Sequence, residues 1–124
     1  MSRRQTGWLA AALIMGVFGI WSMLGMVADI AAFRGGAWVE AWSFQLSKAQ
    51  TQNEFFSPQD EDWQQAYALA NLAVRLSPMN ADYREGLARI HEARFIMAPI
   101  GDPEARPERE KAIASYRDSI RLRP

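Results

Sequence analysis

The first apolar segment of the chain is long and unbroken. Residues 8–28 comprise 21 positions without a charge, and Ser22 is the only conventional polar side chain among them. At about 1.5 Å per residue, a helix of this length would extend roughly 32 Å, enough to cross a hydrocarbon core of about 30 Å. The pattern therefore predicts that residues 1–34 form a short N-terminus and a transmembrane anchor.

A cleaved signal peptide is the alternative interpretation of this segment. Arg3 and Arg4 supply a basic start, and Ala28 or Ala32 would end a cleavage site. However, the apolar stretch exceeds the roughly 15 residues of a signal-peptide core, and the residues before these alanines fit a cleavage site poorly. An uncleaved anchor is therefore favoured.

Small residues also recur within the predicted span. Ala12, Gly16 and Gly19 follow one another at intervals of four and three residues, so they share one helix face. Such a face permits close contact between helices in lipid. Ordinary glycine usage in a membrane helix explains the same three residues equally well.

A second helical pattern follows the anchor. Gly35 and Gly36 predict an interruption and a change of direction, after which residues 35–57 form a linker helix. Trp38 and Trp42 share one stripe of that helix. We expect these tryptophans either to cap the helices that follow, which we favour, or to lie at the lipid interface.

Three further helices are predicted within residues 58–124. Ser57 and Pro58 are the expected start of the first, because serine caps free backbone N–H groups and proline suits the first helical position. Asn80 is the expected cap of the second. Prolines and a glycine in residues 98–107 indicate an exposed inserted loop before the third. The sequence thus predicts an all-α protein.

The first of these helices is partly repeated at the C-terminus. The sequence WQQAYALANLAVRLSP, which ends at Pro78, returns as KAIASYRDSIRLRP, which ends at Pro124. Aligning the two prolines also aligns two pairs of small residues, Ala66 with Ala112 and Ala73 with Ser119. Small residues at helical spacing let a neighbouring helix approach closely, and a proline ends the helix. Each copy is therefore expected to pack in an antiparallel hairpin.

This pattern resembles the second helix of a tetratricopeptide repeat. Ala112, Tyr116, Ser119 and Pro124 fit the family pattern, whereas Ala70 stands where a bulky residue is usual. The two prolines are 46 positions apart, where the family period is roughly 34. The excess fits an insertion at the loop. The resemblance implies a small domain of repeat-like helical hairpins in residues 58–124.

The distribution of charged residues predicts the orientation of the anchor in the membrane and bears on whether a nucleic acid is a partner. Arg3 and Arg4 precede the span and Asp29 follows it, which predicts a cytoplasmic N-terminus and a C-terminal domain across the membrane. Beyond residue 28 the chain carries 12 basic and 14 acidic residues, so nothing favours a nucleic acid as partner. The absence of cysteine excludes disulfides, a thiolate nucleophile and a thiolate metal site.

Few residues suggest chemistry. His91 is the only histidine, and because no nucleophile or orienting partner accompanies it in the sequence, we interpret it as structural. The run from Asp60 to Asp62 would suit a hard cation, but its position at a helix start already explains it. A basic edge is formed by Arg75, Arg117, Arg121 and Arg123. We predict no catalytic, cofactor-binding or metal-binding residue, no small-molecule substrate and no enzymatic activity.

The order of segments resembles one family of bacterial envelope proteins. An anchor, a tryptophan-bearing helix, LSPMNADYREGLARIHEARF and, after a loop, YRDSIRLRP are similar to the VpsP family of polysaccharide-biosynthesis accessory proteins. The resemblance implies single-pass residence in the bacterial inner membrane, a periplasmic domain and protein partners in exopolysaccharide biosynthesis or export. An adaptor of a secretion or pilus machine is the alternative. Membrane lipid would contact residues 8–28.

Overall fold

The chain forms four helices, and no strand occurs within residues 3–124. The computed structural model describes the backbone of residues 3–124 and the side chains of residues 6–124. The elements are α1 (Arg3–Thr51), α2 (Asp60–Leu76), α3 (Ala81–Ile96) and α4 (Ala105–Leu122). The predicted helical class is confirmed for this part of the chain. The side chains of Arg3 and Arg4, on which the predicted orientation depends, lie outside the described residues.

Helix α1 has two halves with different surroundings. Its N-terminal half, as far as Val27, is exposed along the described side chains, whereas Ala28, Ala31, Val39, Trp42 and Ala49 in its C-terminal half are buried. By length and composition α1 is the one helix in residues 6–124 that could cross a membrane. A single helix therefore carries both the candidate span and part of the folded core.

The predicted interruption at Gly35 and Gly36 is wrong, because α1 continues through both residues. Gly35 is buried where α1 crosses α2, and a Cβ atom added there would lie 3.4 Å from the backbone nitrogen of Ala70 and 3.5 Å from the carbonyl oxygen of Ala66. A glycine inside a helix costs about 1 kcal/mol relative to alanine. Here the glycine allows close approach of two helix backbones, and this packing offsets the cost.

Helices α2, α3 and α4 run up and down in sequence. Trp63 near the start of α2 lies beside His91 near the end of α3, with ring centroids 6.4 Å apart. His91 in turn contacts Glu108 near the start of α4, and Arg84 at the other end of α3 pairs with Asp118 at 3.5 Å. Each consecutive pair is therefore antiparallel, as the repeated pattern predicted.

Helix α1 runs parallel to α3. Asp29 accepts a hydrogen bond from the Tyr83 hydroxyl, and further towards the C-terminal ends of both helices Glu40 accepts from Arg89 Nη2 at 3.0 Å. Because α4 is antiparallel to α3, its C-terminal end returns towards the exposed half of α1. Arg123 consequently lies at the end of the domain nearest the candidate span, where it binds side chains of the first turns of α3.

The hydrophobic core contains residues from α1, α2 and α3. Its buried cluster comprises Val39, Trp42, Ala66, Ala70, Ile90, Ala93 and Met97. Trp42 is only 3% exposed, and Trp38 packs beside it with a ring-centroid separation of 5.7 Å. The expectation that these tryptophans cap the following helices is confirmed, which excludes the alternative position at the lipid interface for Trp42.

Helix boundaries follow local chemistry with two corrections. Asn80 caps α3 as predicted, because its side chain accepts hydrogen bonds from the backbone N–H groups of Asp82 and Tyr83 at 2.9 and 3.3 Å. The predicted start of α2 at Ser57 and Pro58 is wrong.

In the structure Gln59 is the N-cap of α2, with extended backbone and no side-chain cap. Pro58 is buried before the helix begins, and the acidic first turn from Asp60 to Asp62 favours the positive end of the helix dipole. The loop predicted at residues 98–107 ends at residue 104, because Pro107 lies within the first turn of α4. Proline is tolerated there since the first N–H groups of a helix have no intrahelical partner.

Candidate functional site

A groove opens at the end of the domain nearest the exposed half of α1. Its volume is about 400 Å³, and its floor consists of small residues from three helices, Ala32, Gly36, Ala70, Ala73 and Gly86. The groove is open because these small side chains do not fill the space between the helix backbones, as larger side chains would. The groove thus lies beside the contact between Gly35 and α2, and Ala70 takes part in both.

Charged and polar side chains form the walls of the groove. They are Asp82, Tyr83, Glu85, Arg89 and Arg123. Arg89 pairs with Glu40, while Arg123 binds Glu85 and also donates to Asp82 Oδ1 at 3.2 Å. Every charged residue of the wall thus has an opposite charge as partner. A cavity of this size would admit a small ligand, but within the described residues the wall offers no unpaired charge to fix one.

These contacts set the relative positions of α1, α3 and α4. Exposed ion pairs each contribute about 0–1 kcal/mol, so their larger effect is on geometry. The hydrogen bond to Asp29, together with partial burial, raises the pKa of Tyr83 to about 12. Tyr83 consequently remains a neutral donor to Asp29 throughout the physiological pH range and holds the start of α3 against α1.

A second polar cluster lies at the opposite end of the domain, around His91. The His91 side chain is buried, and its Nδ1 lies 2.6 Å from Glu108 Oε2. An ionised carboxylate accepts only, so the imidazole N–H donates in this contact. Lys111 Nζ donates to the other oxygen of Glu108 at 2.9 Å. The carboxylate therefore receives two donors in a site that is almost closed to solvent.

The surroundings of this cluster explain its charge state. Burial alone raises the pKa of Glu108, but the hydrogen bonds from His91 and Lys111 and the electrostatic attraction of these two side chains outweigh burial and leave the pKa below its ordinary value. The rings of Trp63 and Tyr67 cover His91 at centroid separations of 6.4 and 5.4 Å. Trp63 Nε1 is buried without a hydrogen-bond partner among the described residues.

The His91 cluster contains two groups that also occur in catalytic sites, an imidazole and a carboxylate that contacts it. A carboxylate orients the imidazole, as in base-and-orienter pairs. However, the enclosing aromatic rings leave no room for a substrate beside the ring, and the cluster supplies no nucleophile. Its physical effect is to join α3 to α4, an effect reinforced by the Tyr116 hydroxyl, which donates to Glu92 Oε2 at 2.6 Å.

Sequence reasoning interpreted His91 as structural because no orienting partner was visible, and so it missed Glu108. The two residues are 17 positions apart, across a loop without periodic pattern. One signal was available, because Glu108 precedes the small residue Ala112 by four positions and therefore shares the packed face of α4. A carboxylate at a core-facing position requires a partner, and His91 is the only histidine in the chain.

The remaining candidate residues do not converge on a site. Asp60 pairs with Arg94, so the acidic run at the start of α2 is engaged with α3. Within residues 6–124 no group of three or more potential ligands is placed to hold a metal ion. Of the predicted basic edge, Arg123 lies in the groove wall and Arg121 pairs with Asp118 at 3.8 Å.

No protein-family model, curated protein or solved structure matches this chain.

Proposed function

We propose that this protein is a membrane-anchored helical scaffold that docks a protein partner in the bacterial envelope, as an accessory of exopolysaccharide biosynthesis or export. Its domain would be periplasmic and its short N-terminus cytoplasmic. The proposal includes the absence of enzymatic activity and the interpretation of the folded part as a domain of tetratricopeptide-like hairpins. The observation that carries the proposal is the continuity of α1.

The unbroken helix supports a scaffold because it leaves no flexible linker between span and domain. Residues buried in the core, from Ala28 to Ala49, lie on the same helix as the exposed apolar residues before them. A catalytic domain needs an open site with convergent reactive groups, and the enclosed His91 cluster does not supply one. A rigid domain with a groove close to the bilayer suits the positioning of a partner.

The same continuity supports retention of the anchor. Cleavage after Ala28 would remove a fully buried alanine, and cleavage after Ala32 would also remove Asp29, the acceptor for Tyr83. Both positions lie in helical backbone. Residues from Ala28 onwards therefore belong to the folded unit, whereas removal of a signal peptide leaves the mature domain intact.

The choice of polysaccharide machinery rests on the resemblance to the VpsP family. The segments that carry it are α3, with the turn before it, and the end of α4. In the structure these two segments pack against each other and form part of the groove wall through Glu85 and Arg123. The resemblance therefore concerns the part of the molecule that surrounds the candidate docking surface.

The test is site-specific crosslinking of the full chain in its native membrane. A photoreactive residue at Gly86, where an added Cβ atom meets no atom within 4 Å, would project from the groove floor. The matched control places it at Ala68, an exposed position of α2. We expect the groove position to capture a glycosyltransferase, polymerase or export component and the control position not to capture it.

Two results would contradict the proposal. Recovery of secretion or pilus components would keep the scaffold and replace the machinery. Recovery of no protein from either position, with the solubilised chain free of partners in mild detergent, would count against a scaffold of any kind.

A further inference from the structure

The face of α1 that points away from the domain is apolar and uncovered well beyond the candidate span. Phe33 and Phe44 are 78% and 72% exposed, and Ile30 is 52% exposed. Phe44 lies about 24 Å beyond the end of the span at residue 28, at about 1.5 Å per residue. A soluble surface rarely leaves so long an apolar strip without a function.

These residues belong to a seven-residue repeat that extends the apolar surface of the candidate span. One series of exposed residues recurs every seven positions, namely Gly16, Met23, Ile30, Ala37 and Phe44. A second series lies four residues before the first and also recurs every seven positions, namely Ala12, Gly19, Met26 and Phe33. Alternating spacings of four and three residues are the pattern of a helix that packs along a partner helix in a left-handed supercoil.

The opposite face of α1 is already occupied. Ala28, Gly35, Trp42 and Ala49 also recur every seven residues, and all four are buried in the folded domain. The exposed repeat therefore does not compete with the domain, which lies on the far side of the helix. The repeat is interrupted at Glu40, which follows Phe33 by seven residues. The Glu40 carboxylate forms an ion pair with Arg89 of α3.

A partner that follows the whole exposed face would itself cross the membrane and continue as a straight helix outside it, because α1 is unbroken across that boundary. A second copy of α1 meets both conditions. Small residues at the span end of the repeat, Ala12, Gly16 and Gly19, permit close helix contact in lipid. Inserted with the same topology, two copies would lie parallel and in register.

Charges beside the repeat fit the same arrangement. In a parallel pair, a residue that flanks the repeat on one helix faces the residue five positions later on the other. Asp29 and Arg34 have this spacing and these flanking positions. Arg34 forms no ion pair within residues 6–124, and Asp29 contacts Tyr83 through only one carboxylate oxygen. Two opposite-charge pairs, related by symmetry, would therefore form at the membrane exit.

We propose that α1 pairs in parallel with α1 of a second copy along this repeat, so that the protein is a homodimer with its two domains facing outwards. This inference rests on the proposed membrane anchor.

Disulfide trapping in native membranes tests the pairing directly. The chain contains no cysteine, so single-cysteine variants need no altered background. Phe33→Cys and Ala37→Cys place a thiol on the repeat, whereas Gln45→Cys places one on an exposed position beside it. Under mild oxidation we expect dimers of twice the chain mass from the first two variants and at most a trace from the control.

Several outcomes would overturn the pairing. Equal crosslinking at all three positions would indicate random collision, and an adduct with a different protein would indicate a different partner helix. Co-purification of two differently tagged wild-type copies provides a second measurement that needs no substitution, and its failure would also overturn the proposal. Membrane fractionation of the same samples separates failure of pairing, in which the protein stays in the membrane, from failure of the anchor.

Discussion

The contact between Gly35 and α2 gives the most direct prediction about stability. Substitution by leucine would add a side chain where the first added carbon already lies 3.4 Å from the backbone of Ala70. That distance is ordinary contact for a methyl group, and leucine would add three further carbon atoms at this buried helix contact. Overpacking of this kind costs about 1–3 kcal/mol.

Gly36 provides the matched control. An added Cβ atom at Gly36 meets nothing within 4 Å, although the residue is adjacent in the same helix. Both substitutions replace a helical glycine, so both gain about 0.8 kcal/mol from helix propensity. The difference between Gly35→Leu and Gly36→Leu therefore isolates the packing term, and we expect it to be about 1–3 kcal/mol in favour of Gly36→Leu.

Thermal unfolding of the full chain in mild detergent measures this difference. Trp38, Trp42 and Trp63 pack in or against the core, so their fluorescence reports its loss. For a domain of this size 1 kcal/mol corresponds to about 4–8 °C in Tm. We expect Gly36→Leu to melt at or above the wild-type temperature and Gly35→Leu to melt below it. Equal melting of the two variants would refute the close crossing of α1 and α2 and would restore the interruption that the glycine pair predicted.

Three further predictions concern charge and topology. Glu108→Gln should lower the free energy of unfolding by about 1.5–3 kcal/mol at neutral pH, because it removes the charged acceptor for His91 and Lys111. The folded-state pKa of Glu108 is depressed, so its contribution is complete above the ordinary value of 4.5 and is lost as the pH falls through the folded pKa; a difference between wild type and variant that does not shrink below that value would contradict the assignment. Tyr83→Phe should delete a component of tyrosinate absorbance that appears near pH 12; because the pKa is raised, the contribution of the hydroxyl to stability is complete below the ordinary value of 10.0 and is lost as the pH rises through 12, and loss of a component near 10.0 instead would show that the bond to Asp29 does not form. Alkaline phosphatase fused after Pro124 should be active, and the same enzyme fused at the N-terminus should be inactive. The untagged chain should keep its full mass of 14.0 kDa. The opposite activities, or a shortened chain, would contradict the proposed topology.

Local chemistry predicted much of the fold. The Asn80 cap needs only the asparagine and the two following N–H groups, so it is visible in the sequence and occurs in the structure. The packed faces of α2 and α4 were visible for a similar reason, since Ala66, Ala73, Ala112 and Ser119 are small residues at helical spacing and all are buried.

Tertiary contacts explain what the sequence could not predict. Gly35 has the local signature of a helix break, and only the approach of α2 shows why the helix continues. The sequence favours Pro58 as the first residue of α2, but in the structure Pro58 is buried and the helix begins two residues later. The contact between His91 and Glu108 and the ion pairs of the groove wall join residues that are distant in sequence. No rule of sequence spacing predicts such contacts.

If the candidate span crosses a membrane, the continuity of α1 makes the domain follow any change in the tilt of the span. Transmembrane helices tilt by about 0–40° according to the match between their apolar length and the bilayer thickness. Because α1 continues to Thr51, about 34 Å beyond residue 28, a change of tilt by about 10° would displace its outer end sideways by about 6 Å. The core packed on α1 would move with it as a body. The thickness of the surrounding membrane would thereby set where the domain stands relative to its neighbours in the envelope.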